Sequence, residues 1–160
     1  MIVVADSSPL NYLILLEQTA LLHRLYGRVL IPEAVAVELR AERAPQPVQE
    51  WISRPPTWIE IIQVSDSEVA SVASDLDRGE RAAIALAERV RADLVLIDEA
   101  DGRIEAARRS FRVTGTLGVL RAAAGEGLID VRSVLDRLAT TSFYADEQLL
   151  ARLFEKWLKE

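Results

Sequence analysis

Two short apolar runs, Ile2-Val3-Val4-Ala5 and Leu94-Val95-Leu96-Ile97, each stop abruptly on a carboxylate, Asp6 and Asp98. A short β-prone run bounded by polar residues reads as a strand covered on both faces, as in a parallel sheet under helices. Val29-Leu30-Ile31 and the pair Arg112-Val113 read as further short strands. Residues 58–64 have strand composition, and their imperfect alternation fits an edge or partly buried strand. Between these runs the apolar spacing becomes helical. Ser7-Ser8-Pro9 offers a cap with proline at the first helical position, predicting a helix over residues 10–18, then another over 20–26 stopped by Gly27. Pro32 opens a helix to about residue 40, with Val35, Ala36 and Leu39 on one face and Glu38 near its end. A turn at 44–47 precedes a brief helix over 48–53, which Pro55-Pro56 ends. Further helices are predicted over 65–76 (Ser65 and Ser67 competing as caps), 80–91 after a break at 77–79, 102–110, 117–124 capped by Thr114 or Thr116, 131–138 and 146–158. This strand–helix alternation predicts one α/β domain over residues 1–160, a short parallel sheet with helices on both faces.

Composition narrows the chemistry. The chain has 160 residues, half of them apolar, enough for one real core. It has no cysteine, which excludes disulfides, thiolate metal sites and thiol nucleophiles. Its one histidine, His23, lies in the amphipathic stretch Leu21-Leu22-His23-Arg24-Leu25, a poor setting for a Ser-His-Asp triad. Met1 runs straight into a strand without a basic leader region, and no stretch approaches the roughly 20 apolar residues of a membrane span. A cytoplasmic protein is the expectation. The net charge of −6 argues against a simple phosphate-coating surface. Yet lysine occurs only at Lys156 and Lys159, and arginine's planar fork suits phosphates and base stacking.

Four acids stand out. Asp6 and Asp98 follow buried strands, where open α/β sheets place their ligand crevice. Ser7 and Ser8 carry hydroxyls able to bond a free oxygen of Asp6. Glu38 closes one helix and Glu80 opens another, where the dipole favours an anion. Carboxylates gathered at one edge repel each other and lose hydration, which makes a divalent cation the simplest thing to hold them together. Asp6 and Asp98 are expected as direct ligands, with Glu38 and Glu80 acting through water or a second ion. The string Asp98-Glu99-Ala100-Asp101 imitates a helicase motif, but the phosphate-cradling G-x-x-x-x-G-K-[ST] loop that must accompany it is absent.

Three segments together carry a resemblance: Val3-Val4-Ala5-Asp6-Ser7-Ser8-Pro9-Leu10, Ile31-Pro32-Glu33 through Glu38-Leu39, and Gly79-Glu80-Arg81-Ala82-Ala83-Ile84-Ala85-Leu86-Ala87. In this order the chain resembles a PIN domain. Leu96-Ile97-Asp98-Glu99-Ala100-Asp101-Gly102-Arg103 and Val113-Thr114-Gly115-Thr116-Leu117-Gly118 resemble the small prokaryotic PIN proteins similar to VapC toxins. The resemblance implies a three-layer α/β/α fold and Mg²⁺- or Mn²⁺-dependent cleavage of RNA. It carries the acidic site onto Asp6, Glu38, Glu80 and Asp98, with Asp101 as the alternative fourth or a fifth acid. Glu99 stands where that branch is expected to have an aspartate, so Glu99 is not assigned as a ligand. Thr114 or Thr116 would orient a ligand or phosphate, and Arg81 and Arg103 would contact phosphates. An antitoxin protein laid over the groove is an implied partner. A homodimer is expected too, with the apolar stripe of the last helix (Leu149, Leu150, Leu153, Phe154, Trp157, Leu158) either packed on the core or shared between copies.

Two rival functions follow from the same residues. A receiver-like signalling module would need a paired acid after the first strand and a late lysine, but Ser7 follows Asp6 and no lysine precedes Lys156. A PIN-fold module that binds RNA or protein without cutting is the closer alternative.

Overall fold

The computed structural model describes residues 1–72 and 75–159. Five strands, β1 (Val3–Ala5), β2 (Val29–Pro32), β3 (Ile59–Ile62), β4 (Leu94–Leu96) and β5 (Val113–Thr114), form one sheet of order β3-β2-β1-β4-β5. Every neighbouring pair is parallel, with Val3 opposite both Val29 and Leu94. The chain crosses between strands through α1 (Ser7–Leu15), α2 (Ala20–Tyr26), α3 (Glu33–Arg40), α4 (Gln46–Ser53), α5 (Asp66–Ala70), α6 (Arg78–Val90) and α7 (Ala100–Arg108). Three helices follow the sheet: α8 (Thr116–Gly125), α9 (Val131–Leu138) and α10 (Glu147–Leu158).

The period-two alternation of the strands sorts the core into two layers. Val3, Ala5, Val29, Ile31, Leu94 and Leu96 face one side and pack with Leu10, Leu22, Val35, Val48, Leu120, Val134 and Phe154 from α1, α2, α3, α4, α8, α9 and α10. Val4, Val95 and Ile97 face the other side and meet Ile84 and Leu86 of α6 and Ala106 of α7. The result is a three-layer α/β/α fold. Full burial of each such aliphatic side chain contributes about 1.5–3 kcal/mol before chain entropy is counted. The edge position of β3 accounts for its weak alternation, since only Ile59 of that strand is buried.

Several element boundaries depart from the sequence reading, each for a local reason. Helix α1 begins at Ser7 and places Pro9 inside its first turn, where the backbone N–H groups have no intrahelical acceptor and proline costs nothing. It ends three residues early, and Glu17 turns the chain with φ 56°. Helix α4 starts at Gln46 with Pro47 in its first turn. The helix expected over 65–76 stops at Ala70, capped by Ser65 in a reciprocal box with Glu68, while residues 73 and 74 lie outside the described residues. Asp77-Arg78-Gly79 starts the next helix as expected, two residues earlier than the predicted Glu80. Asp77 is the N-cap of α6. Helix α7 starts two residues early, which puts Asp101 and Gly102 in its first turn. No described helix is long and apolar enough to cross a membrane.

Candidate active site

In a parallel sheet with helical crossovers, helices run against the strands, so helix N-termini gather at the strands' C-terminal edge. Asp6 emerges there directly after β1, and its backbone N–H donates to the Leu96 carbonyl at 2.9 Å. It sits at the N-cap of α1 yet makes no side-chain capping bond. The residue is only 3% exposed, and its Oδ1 has no hydrogen-bond partner. Glu80 reaches the same edge from the first turn of α6, 5% exposed. Its Oε1 accepts from the Asp77 backbone N–H at 3.3 Å while Asp77 Oδ1 accepts from the Glu80 N–H at 2.8 Å, a reciprocal capping box. Its other oxygen, Oε2, is buried without a partner. Glu38 arrives from the end of α3 and is half-buried. The Ser7 hydroxyl, expected on Asp6, donates instead to Glu38 Oε2 at 2.6 Å.

Burial and the charge of Asp77 act on all three acids, and Asp6 also feels Glu38 and Glu80. Burial pushes the Asp6 carboxyl well above its usual range, the Ser7 backbone N–H opposes that, and the charges of Glu38, Asp77 and Glu80 add to it. Burial also raises Glu38; the Ser7 hydroxyl, Arg43 and the Gly79 backbone counteract it, while Asp77 reinforces it. Glu80 is pushed up to about 7, first by burial and then by the charge of Asp77, with Glu99 adding a smaller push. Strongly raised acids clustered in a cleft mark a candidate functional site. Backbone clearance is part of the construction. A side chain on Gly79 would collide with the Glu38 carboxylate, and a Cβ on Gly102 would lie 2.7 Å from Glu80 Oε2. Glycine at these positions lets helix backbone approach the acids.

Asp98 leaves the neighbouring strand and, unlike Asp6, has both oxygens engaged. Its Oδ1 accepts the Thr116 backbone N–H and its Oδ2 the Thr116 hydroxyl, both at 2.7 Å. Neither Thr114 nor Thr116 caps α8 with its own side chain. Gly115 is the N-cap, and Asp98 supplies the missing acceptor from across the sheet edge. A Cβ on Gly115 would come within 2.5 Å of Asp98 Oδ1. Asp101 is exposed on the first turn of α7. Thr114 Oγ1 lies under Gly118, where any side chain would strike it. Arg81 is half-buried with its Nε unpartnered. Arg103 lines a groove with Asp98.

That groove has a volume of about 600 Å³ and is lined by Asp98, Glu99, Arg103 and Arg121 and by the loop before α10. A smaller hollow of about 340 Å³ lies beside Glu38 and Arg43, and the two share Ser8 and Tyr12 as a common wall. Residues 2–159 match a family model described as a PIN domain. The chain belongs to the PIN-domain family. Among curated proteins none matches it. PIN domains are generally nucleases and usually use divalent metal ions, which gives the acidic edge a chemical context.

The residues of this PIN domain fit such an ion in donor type. Carboxylate oxygens are the hard ligands that Mg²⁺ and Mn²⁺ take. The unpartnered Asp6 Oδ1 and Glu80 Oε2 are buried acceptors with nothing to accept from. Among the described residues no three acids are grouped closely enough to form a finished metal cage. Open oxygens belong to Asp6 and Glu80, Glu38 is held by Ser7, and Asp98 is engaged by Thr116. Asp77 was missed as a contributor, although the D-x-x-E spacing ahead of an apolar helix is a capping-box signature.

Proposed function

We propose that this PIN domain is a metal-dependent endoribonuclease that hydrolyses RNA phosphodiester bonds at its acidic edge. The observation that carries the reading is the pair of buried carboxylate oxygens, Asp6 Oδ1 and Glu80 Oε2, that have no partner inside the protein. A buried acceptor left unpaired costs about 1–3 kcal/mol, and folding tolerates such sites chiefly where something else completes them. Asp6 and Glu80 would hold Mg²⁺ or Mn²⁺, with Asp98 and Glu38 contributing directly or through water. A cation there would neutralise phosphoryl charge and lower the pKa of an attacking water. The chain's own part is positional. Ser7 fixes Glu38, the α8 N-terminus fixes Asp98 through Thr116, and the capping box fixes Glu80. Asp101, exposed on the first turn of α7, is the alternative fourth or a fifth acid.

The resemblance to VapC-like proteins extends this reading to the toxin of a toxin–antitoxin pair, with an antitoxin protein and a homodimer as partners. The decisive experiment is cleavage of a mixed set of structured RNAs by purified protein in Mg²⁺, Mn²⁺ or EDTA. Cleavage is expected only with metal, and Asp6→Asn is expected to lower it on the order of 100-fold or more, the scale of losing one charge-stabilising group. Full activity in Asp6→Asn would sink the assignment. Metal binding that depends on Asp6, without any cleavage, would favour the non-cutting RNA- or protein-binding module instead.

A further inference from the structure

The larger groove carries features that the acidic site does not use. At its far wall Tyr144 is 87% exposed, the most exposed of the large apolar side chains. The loop that presents it is braced rather than loose. The Tyr12 ring meets Phe143 edge-on at 4.9 Å and 83°, and its hydroxyl is hydrogen-bonded with the Ser142 hydroxyl at 2.9 Å. The Thr141 hydroxyl donates to the Leu138 carbonyl and accepts the Phe143 backbone N–H at 3.2 Å. Residues 141–143 are therefore tied down, and Tyr144, next in sequence, is left bare at the groove mouth.

Besides Tyr144 and Asp98, the same groove is lined by Arg103 and Arg121. Neither forms an ion pair among the described residues, and the only polar contact of Arg121 is its Nε to the Leu153 carbonyl at 3.2 Å. Guanidinium groups without an ion-pair partner are free to take the oxygens of a phosphate. An aromatic face beside unpaired arginines matches the recognition chemistry of single-stranded nucleic acid, where bases stack on aromatic rings and phosphates meet cations. The volume, about 600 Å³, is in the range that holds one small ligand. Asp98, which follows β4 at the sheet edge, lines this groove, so a strand lying in it passes one of the four acids.

We propose that this groove holds one unpaired nucleotide of an RNA strand next to the acidic site. Its base stacks on Tyr144, and Arg103 and Arg121 contact the adjoining phosphates. The inference rests on the nuclease reading for the identity of the strand, but makes its own demand: the bound nucleotide must be unpaired, because a duplex hides its base faces. An aromatic platform of this kind selects single-stranded segments with little base preference.

The test is fluorescence anisotropy of a labelled single-stranded RNA binding to the full chain in EDTA, which prevents metal-dependent cutting. The same RNA carrying abasic positions and a matched duplex serve as controls. Tyr144→Ala is expected to weaken binding of intact RNA about tenfold, the scale of losing one stacked base, and Tyr144→Phe to restore it. The abasic strand is expected to bind wild type and Tyr144→Ala alike. Arg103→Gln and Arg121→Gln are expected to weaken intact and abasic strands equally, since both keep their phosphates. Unchanged binding by Tyr144→Ala overturns the proposal, as does equal wild-type affinity for intact and abasic strands. A change of oligomeric state in Tyr144→Ala with RNA affinity untouched also overturns it, and assigns the face to protein contact. RNA that binds as expected but is never cut with metal leaves the platform standing and rejects the nuclease reading.

Discussion

Glu80 has two oxygens with different duties: one closes the capping box with Asp77, and the other is buried with no partner. That split makes the side chain a reporter for the whole site. Its folded pKa of about 7 lies above the ordinary 4.5, so between those values the folded chain binds more protons than the unfolded one. The stability this contributes is complete below about pH 4.5 and is lost as pH rises through about 7. Asp6 and Glu38, also raised, act in the same sense. Glu105 is lowered by Arg109 and Arg108, and its contribution is lost only on the acid side, below its ordinary value. The metal-free protein should therefore melt at a lower temperature at about pH 8 than at about pH 5, and Glu80→Gln should flatten that slope. Calorimetry across the range in EDTA checks this; a flat wild-type profile would mean that these acids are not buried together. Single residues were legible in sequence only where chain position dictated their setting. Asp6 and Asp98 follow apolar runs and had to reach the sheet edge, whereas the Ser7–Glu38 bond joins positions 31 apart that share no pattern.

At the scale of elements, helix α6 couples folding to the site. Its N-terminus is closed by Asp77, whose charge also raises Glu80, Asp6 and Glu38. Cap and repulsion can be separated by substitution. Asp77→Ala should cost about 1 kcal/mol through loss of the cap, while Asp77→Asn keeps the acceptor and removes the charge. Asp77→Asn should thus match or exceed wild type in stability at about pH 8 and lower the apparent pKa of Glu80. Urea denaturation of the two variants with NMR titration of Glu80 would test this; equal destabilisation by both would show that the charge, not the cap, matters to folding. The elements themselves were mostly readable, because periods of two and 3.6 are written in local apolar spacing. Their ends were less so. Proline at 9 and 47 and glycine at 102 look like boundaries in a string, yet each lies within the first turn of its helix.

For the whole molecule, the helices after the sheet complete the layer that carries α1, and with it Asp6 and Tyr12. Phe154 of α10 is fully buried against this layer, whereas Leu149, Leu150, Leu153, Trp157 and Leu158 are half-buried, so the apolar stripe is used at least in part for packing. Phe154→Ala should destabilise the chain by about 3–5 kcal/mol, lowering the melting temperature by about 10 °C. A loss below about 1 kcal/mol would mean that α10 docks independently of the core. The same helix supplies Leu149 and Leu153 to the groove wall, which ties groove shape to the integrity of the C-terminal layer.

By itself the sequence determined the α/β class, the parallel sheet and the edge to which Asp6 and Asp98 must come. Those follow from local period and from the handed crossover of strand, helix and strand. Only the tertiary structure decided which acids meet. Glu38 and Glu80 are brought to Asp6 by two different helices, while Asp98 is drawn to the open N-terminus of α8. A carboxylate's partners depend on where backbone donors end and where glycine permits close approach, and both are set by packing between segments far apart in the chain.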